Sequence, residues 1–363
     1  MKAFFVRAAL LIVFTGLTHE CTACTTFVLS DGNVILFARN YDWHWGDGIV
    51  VVNNRGIEKT ALVSPPEKPA RWTSKYGSVT FNQFGQEMPC GGINEAGLVV
   101  EMMMLMESEY PDSDERPAIN MLQWIQYQLD NCRTVQEVID TDEVLRHEAP
   151  AGKERIHYLI CDASGDTVTI EFLDGVMVCH RGDTLAAKAL ANDTYRKSAD
   201  FMNTYVASNG ADSLPTGKDS LHRFTRAVRC AIGFQSRSPV EDRKYAFDNL
   251  RNVAQGRYTV WSIVYDISNR KVFYRTRDNG NLRWFSLDDF DYSPFVEPVF
   301  LDINGRGEGN ISADFRELTD ERHRNYLFSF FGKKDVKEKL GDLMPLAHAL
   351  IATVKSYRST TQN

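Results

Sequence analysis

The 363-residue sequence is short of long apolar runs: its N-terminal one, Ala8 to Leu17, falls well below the ~20 residues that a bilayer-spanning helix needs. That argues against a permanent membrane anchor. Excess basic charge is also missing. Lys and Arg number 41 against 48 Asp and Glu, for a formal charge of −7, so no broad electrostatic grip on nucleic acid or anionic lipid is expected. Cysteine is sparse, with seven widely spaced residues, too few for a disulfide-built mini-domain. Low-complexity tracts, internal repeats and long linkers are absent too. What remains, 43% hydrophobic and 25% charged residues, is the composition of a soluble globular protein with a sizeable core.

The chain start carries more information. Lys2 and Arg7 form a basic beginning, an apolar stretch follows, and the small residue Ala23 precedes Cys24. Residues 1–23 therefore read as a cleavable secretory signal, which implies a secreted or periplasmic protein. Loss of Lys2, Arg7 and Glu20 moves the charge from −7 to −8. Cys24 then becomes the first residue, with a thiol nucleophile and an α-amine base on one amino acid, and that amine titrates near ~7.7–8.0 when unperturbed. Two rival readings exist. Cys21-x-x-Cys24 has the spacing of a redox or metal pair, but Cys21 leaves with the signal and no βαβ context surrounds it. A lipoprotein signal would acylate Cys24 and block its amine, yet the residue three positions before Cys24 is Cys21 rather than leucine. If Cys24 stays a thiol, Cys90, Cys132, Cys161, Cys179 and Cys230 are an odd number, so at least one more is free.

Strand-like segments run from Thr25 to Leu29, Val34 to Ala38 and Ile49 to Val52, with turns at Asp and Gly. The apolar stretch Leu98–Met106 contains four methionines, which fill a core or line an apolar pocket. Ala118, Met121, Leu122, Ile125 and Leu129 have helical spacing, and Thr134-Val135-Gln136-Glu137 is a capping box. Strands return between His157 and His180, a helix covers Leu221–Phe234, and two strands occupy Arg257–Phe273. Leu340, Leu343, Ala347, Leu350, Ile351 and Val354 predict a final helix around an internal proline, Pro345. The absence of a composition break favours one domain over 24–363, with a C-terminal helical extension at about 318–358. Strand clusters between helix pairs fit an α+β layered fold of two packed sheets with helices outside.

Cys24 behind a signal, Phe37-Ala38-Arg39-Asn40-Tyr41-Asp42-Trp43 after the second strand, and Gly92-Ile93-Asn94-Glu95-Ala96-Gly97-Leu98, in that order, resemble the choloylglycine hydrolase family of bile acid hydrolases and penicillin V acylases. The resemblance runs from Cys24 to about Leu287. It implies an αββα sandwich of the N-terminal-nucleophile hydrolase type and hydrolysis of linear amides, with no metal or cofactor. It places the nucleophile on Cys24 and its charged partners on Arg39 and Asp42, the aspartate at the new amine. An adjacent arginine is expected to favour thiolate. It places an oxyanion-binding asparagine on Asn192 and the late arginine on Arg223, in His222-Arg223-Phe224. Asn192-Asp193-Thr194 and Asn310-Ile311-Ser312 are also formal glycosylation sequons, but a catalytic Asn192 carries no glycan. The second oxyanion position, commonly asparagine or tyrosine, aligns with Met104, where only a backbone N–H can serve. Ser208–Ser220 is much shorter than the assembly loop of Gram-positive members, so a homo-oligomer is compatible with the sequence but not required by it. Trp43-His44-Trp45 is not a general family feature; Trp43 and Met104 are candidate substrate-binding residues.

These residues predict thioester chemistry on a small-molecule acyl amide with an apolar acyl part: a bile acid conjugate, penicillin V, an N-acyl homoserine lactone or an N-acyl ethanolamine. Two other classes compete: a cysteine peptidase or transpeptidase using His44, His157 or His180 as base, and an inactive secreted or lipid-anchored binding protein.

Overall fold

A computed structural model describes residues 23–148, 155–210 and 213–359. The expected signal, Ala23 apart, lies outside the described residues.

Two antiparallel-rich sheets face each other. The first has seven strands, in the order Ala189–Leu190, Thr25–Asp31, Val34–Asp42, Thr259–Asp266, Lys271–Thr276, Arg283–Ser286 and Gly309–Asn310. The second has nine, with Val176–Arg181, Thr167–Leu173, Ile156–Cys161, Val99–Met104, Pro89–Asn94, Ser78–Asn82 and Ile49–Asn53 forming its continuous centre, and Val299–Asp302 and Arg316–Glu317 at one edge. Phe81 of the second sheet packs edge-on against Tyr265 and Tyr274 of the first, at 6.1 and 5.7 Å between ring centroids. The central strands are buried along their length, the half-buried Val34 at one end apart, as expected when both faces of a sheet are covered.

Helices form the outer layers. On the second sheet lies α1 (Met121–Asn131), and α2 (Val135–Asp140) follows it, its Val135 N–H donating to Asp162 just beyond the strand Ile156–Cys161. The Thr134–Glu137 capping box is present at α2. The first turn of α1 differs from the periodic reading: Asn120 caps the helix, and Ala118–Ile119 is a short strand paired with Arg146–His147. Asn120 takes up the first backbone N–H groups and so starts the helix at Met121, three residues after Ala118. On the first sheet lie α4 (Ser220–Ile232) and α5 (Pro239–Asn252), with α3 (Tyr195–Asn209) packed on α4. The result is the expected four-layer αββα sandwich.

Three further helices follow: α6 (Asp320–Phe331), α7 (Lys334–Leu340) and α8 (Met344–Ser356). The single helix expected around Pro345 is two helices. Pro345 sits in the first turn of α8, where its missing N–H is no loss, and Gly341 after α7 takes a positive φ of 78°, which suits a helix end.

Candidate active site

Strand pairing brings the chain start and residues 39–42 together. Thr26 pairs with Arg39 and Thr25 with Asn40, so continuing the register puts Cys24 beside Tyr41. Opposed residues share a face, and Cys24, Arg39 and Tyr41 therefore point between the sheets. Asp42 pairs with Thr259 and points to the opposite, helix-covered face, where α4 brings Arg223.

Arg39 is completely buried. Its Nη1 donates to the Cys90 carbonyl at 2.8 Å and its Nη2 to the Met102 carbonyl at 3.1 Å. The ladder between these two strands runs only to Gly91 and Glu101; at the next rung both carbonyls turn to the guanidinium. Nη1 also pairs with Glu101, whose other oxygen accepts from Tyr265 Oη at 2.5 Å. A Cβ on Gly91 would lie 1.9 Å from Glu101 Oε2, so the carboxylate needs a glycine there. Burial alone would push Arg39 down, but Glu101 and the Cys24 and Cys90 sulfurs keep it protonated. Burial pushes Glu101 up to about 7 against the pull of Arg39 and Tyr265. Sequence reasoning missed Glu101, although a lone carboxylate in the apolar run Leu98–Met106 was a signal, since buried charges demand partners.

The Cys24 thiol sits above its ordinary value: burial dominates, Arg39 and the Asp42 backbone N–H pull it down, and the Asp42 charge pushes it up. The expected effect of Arg39 is therefore present but outweighed, because the thiol is desolvated. In this chain the Cys24 nitrogen is in peptide linkage to Ala23; release at that bond would turn it into an amine. Asp42 is buried, with Oδ1 accepting from Thr259 Oγ1 and Oδ2 without a hydrogen-bond partner. Burial raises its carboxyl to about 7 against the hydrogen bond from Thr259 and the charges of Arg223 and Arg39.

Arg223 is fully buried rather than solvated, although it lies off the apolar stripe of its helix. Its Nη1 donates to the Cys24 carbonyl at 2.7 Å and to Thr25 Oγ1, and its Nη2 to Asn192 Oδ1 at 2.8 Å. That contact assigns the Asn192 amide: oxygen to the arginine, Nδ2 outward. Nδ2 donates one hydrogen to the Met104 carbonyl at 2.8 Å and keeps a second. The Asn192 backbone N–H donates to Ser220 Oγ at 2.8 Å.

The three histidines considered as bases are occupied elsewhere. His157 Nε2 lies 2.9 Å from the Ala191 carbonyl and its Nδ1 3.0 Å from Glu171, and Glu171 also accepts from the Tyr195 N–H at 2.8 Å. His157 and Glu171 thus pin the chain on either side of Asn192. His180 packs on the Tyr195 ring at 4.7 Å. His44 lies 3.1 Å from Lys339 Nζ. Among the described residues the cysteines are all free, no group of three His, Cys, Asp or Glu could hold a metal, and no helix is long and apolar enough to cross a membrane.

Cys24 opens onto a cavity of about 120 Å³. Tyr41, Trp43, Phe84, five methionines (88, 102, 103, 104 and 121), Leu122 and Ile156 line it, joined by Leu340, Leu343 and Leu346 from the C-terminal helices. Trp43 and Met104, both predicted to meet substrate, are thus in the wall. Nothing in the sequence pointed to the three leucines, which lie about 320 residues from Cys24.

Residues 24–234 match the model of the linear amide C–N hydrolases, choloylglycine hydrolase family. The chain belongs to this family. Like its other members, it is a hydrolase of linear amide C–N bonds. It is 26% identical to a penicillin V acylase of Pectobacterium atrosepticum over 341 residues, covering 80% of this chain and 87% of that one. The structure of penicillin V acylase from Agrobacterium tumefaciens superposes with a TM-score of 0.73 at 28% identity, over 82% of this chain and 98% of its own. A conjugated bile acid hydrolase variant from Clostridium perfringens shares the fold, with a TM-score of 0.63 at 17% identity, over 79% of this chain and 98% of its own.

Proposed function

We propose that residues 1–23 are removed during export and that the secreted or periplasmic enzyme cleaves an amide between an apolar acyl group and a small amine or amino acid, in the manner of a penicillin V acylase or bile salt hydrolase. One observation carries the reading: Cys24 opens onto an apolar cavity and takes the Asp42 backbone N–H, Asp42 keeps a buried oxygen without a partner, and Arg223 joins the Cys24 carbonyl to the Asn192 amide. Asp42 Oδ2 is suited to hold a released α-ammonium group, and that amine serves as the base.

The amine takes the thiol proton, and the thiolate forms a C–S bond to the substrate carbonyl. Arg39 stabilises the sulfur anion. The spare Asn192 Nδ2 hydrogen, with the Met104 backbone N–H as second donor, receives the oxyanion. The C–N bond breaks as the ammonium returns its proton to the leaving nitrogen. Water then adds to the thioester, releasing the acid and restoring the thiol. Likeness to two penicillin V acylases above 25% identity favours that substrate type over bile acid conjugates.

The test is intact mass and N-terminal sequencing of the exported protein, followed by assay on penicillin V and other acyl amides. A start at unmodified Cys24, with turnover abolished in Cys24→Ala, supports the reading. A start elsewhere, or an acylated Cys24, removes the base and overturns it.

A further inference from the structure

The cavity wall that faces Cys24 is closed by a part of the chain beyond the family match, which ends at residue 234. Helix α7 is fastened to the loop that carries Trp43. Trp45 Nε1 donates to Asp335 at 2.7 Å, Lys333 pairs with Asp47 at 2.7 Å, and Lys339 meets His44. Phe330 of α6 packs edge-on against Trp45 at 6.1 Å. These contacts set Leu340, Leu343 and Leu346 into the wall.

The surface this cavity presents is almost wholly carbon and sulfur. Two lining side chains carry oxygen, and both are committed. Tyr41 Oη donates to Gln83 at 2.9 Å and receives the Cys90 thiol. Asn120 caps α1, with Oδ1 accepting from the N–H groups of Leu122 and Gln123 and Nδ2 donating to the Leu62 carbonyl and Gln123 Oε1. An indole donates but does not accept, and thioether sulfur is a weak acceptor. A hydroxyl on the acyl group would therefore be buried with no strong acceptor for its hydrogen.

We infer that the acyl group is an alkyl, aryl-alkyl or aryloxy-alkyl chain without hydroxyls, and that Leu340, Leu343 and Leu346 set how long it can be. This deepens the amidase reading and rests on it for the position of the carbonyl. A binding experiment on the full exported chain separates the two. Calorimetry on the Cys24→Ala variant with N-hexanoylglycine, N-decanoylglycine and N-(3-hydroxydecanoyl)glycine needs no turnover. Affinity is expected to rise about fourfold for each methylene that enters the cavity, and to fall by roughly tenfold or more with the hydroxyl. Leu346→Phe should reduce the decanoyl-to-hexanoyl ratio, and Leu343→Ala should raise the preference for the longer chain, with melting curves showing that both variants fold. Equal affinity for plain and hydroxylated chains, or a length ratio unmoved in folded variants of both leucines, overturns the inference. Were the wild type to bind in the expected order yet hydrolyse none of these amides, the pocket assignment would stand and the amidase reading would fall.

Discussion

Asn192 is held at three points. Arg223 fixes its amide oxygen, Met104 accepts one amide hydrogen, and Ser220 accepts its backbone N–H. An amide so restrained needs little reorganisation when charge develops on the substrate oxygen, which is what makes an oxyanion donor effective. Asn192→Ala should lower kcat by ~10²–10³ while moving KM little, measured by steady-state kinetics on whichever acyl amide is turned over. A matched loss in KM alone would assign Asn192 to ground-state binding instead. Arg223→Lys should lose much of the same rate, because lysine cannot bridge the Cys24 carbonyl and the Asn192 oxygen with one planar group. The sequon at Asn192 is incompatible with this arrangement, since both sides of the amide are committed inside the fold.

The strand Val99–Met104 joins the two layers chemically as well as by packing. Glu101 crosses from the second sheet to Arg39 of the first, and the pair has no exposed surface on either side chain. Removing one partner of a buried pair leaves an uncompensated charge, so Glu101→Gln should destabilise the fold by ~3 kcal/mol, read as a lower denaturation midpoint. The same change releases the whole Arg39 charge to Cys24. Iodoacetamide should then alkylate Cys24 faster at neutral pH than in the parent, a readout that a purely structural role would not move. Gly91→Ala should reproduce the instability by forcing the carboxylate aside. At this scale the sequence was legible where local chemistry decides. The Thr134–Glu137 box, the strand turns at Asp and Gly, and the motif residues from Cys24 to Asp42 all depend on neighbours in the chain. Glu101 against Arg39, Arg223 buried against the Cys24 carbonyl, and Leu343 in the wall depend on segments 62, 199 and about 320 residues apart, and periodicity does not report such distances. Pro345 misled for a related reason: the apolar spacing continues across it, but the chain turns at Gly341 before the proline begins a new helix.

For the whole molecule, the uncut and processed chains should differ most around Asp42. In the uncut chain its carboxyl is raised to about 7 from an unfolded value near ~3.9, because it is buried and its Oδ2 has no partner. Between those values the folded state holds a proton that the unfolded state has released. The unfolded state binds fewer protons, so stability declines as pH rises through this window. The contribution is fully present below about 4 and lost above about 7. An α-ammonium group freed at Cys24 would supply the missing partner, favour the carboxylate and remove much of this slope. Asp42→Asn in the uncut chain should therefore raise the melting temperature at pH 8 and change it little at pH 4. If an amine is released at Cys24 and held by Asp42 as proposed, the same substitution in that chain should instead cost stability at pH 8 by breaking the ion pair, and should abolish turnover by leaving the amine unplaced. Buried His147 provides an internal reference of opposite sign, since burial lowers it to about 3 and its contribution is lost as pH falls below ~6.5; that limb should be the same in both chains. If Asp42→Asn shifts the uncut and processed proteins alike at every pH, Asp42 is not the seat of the new N-terminus.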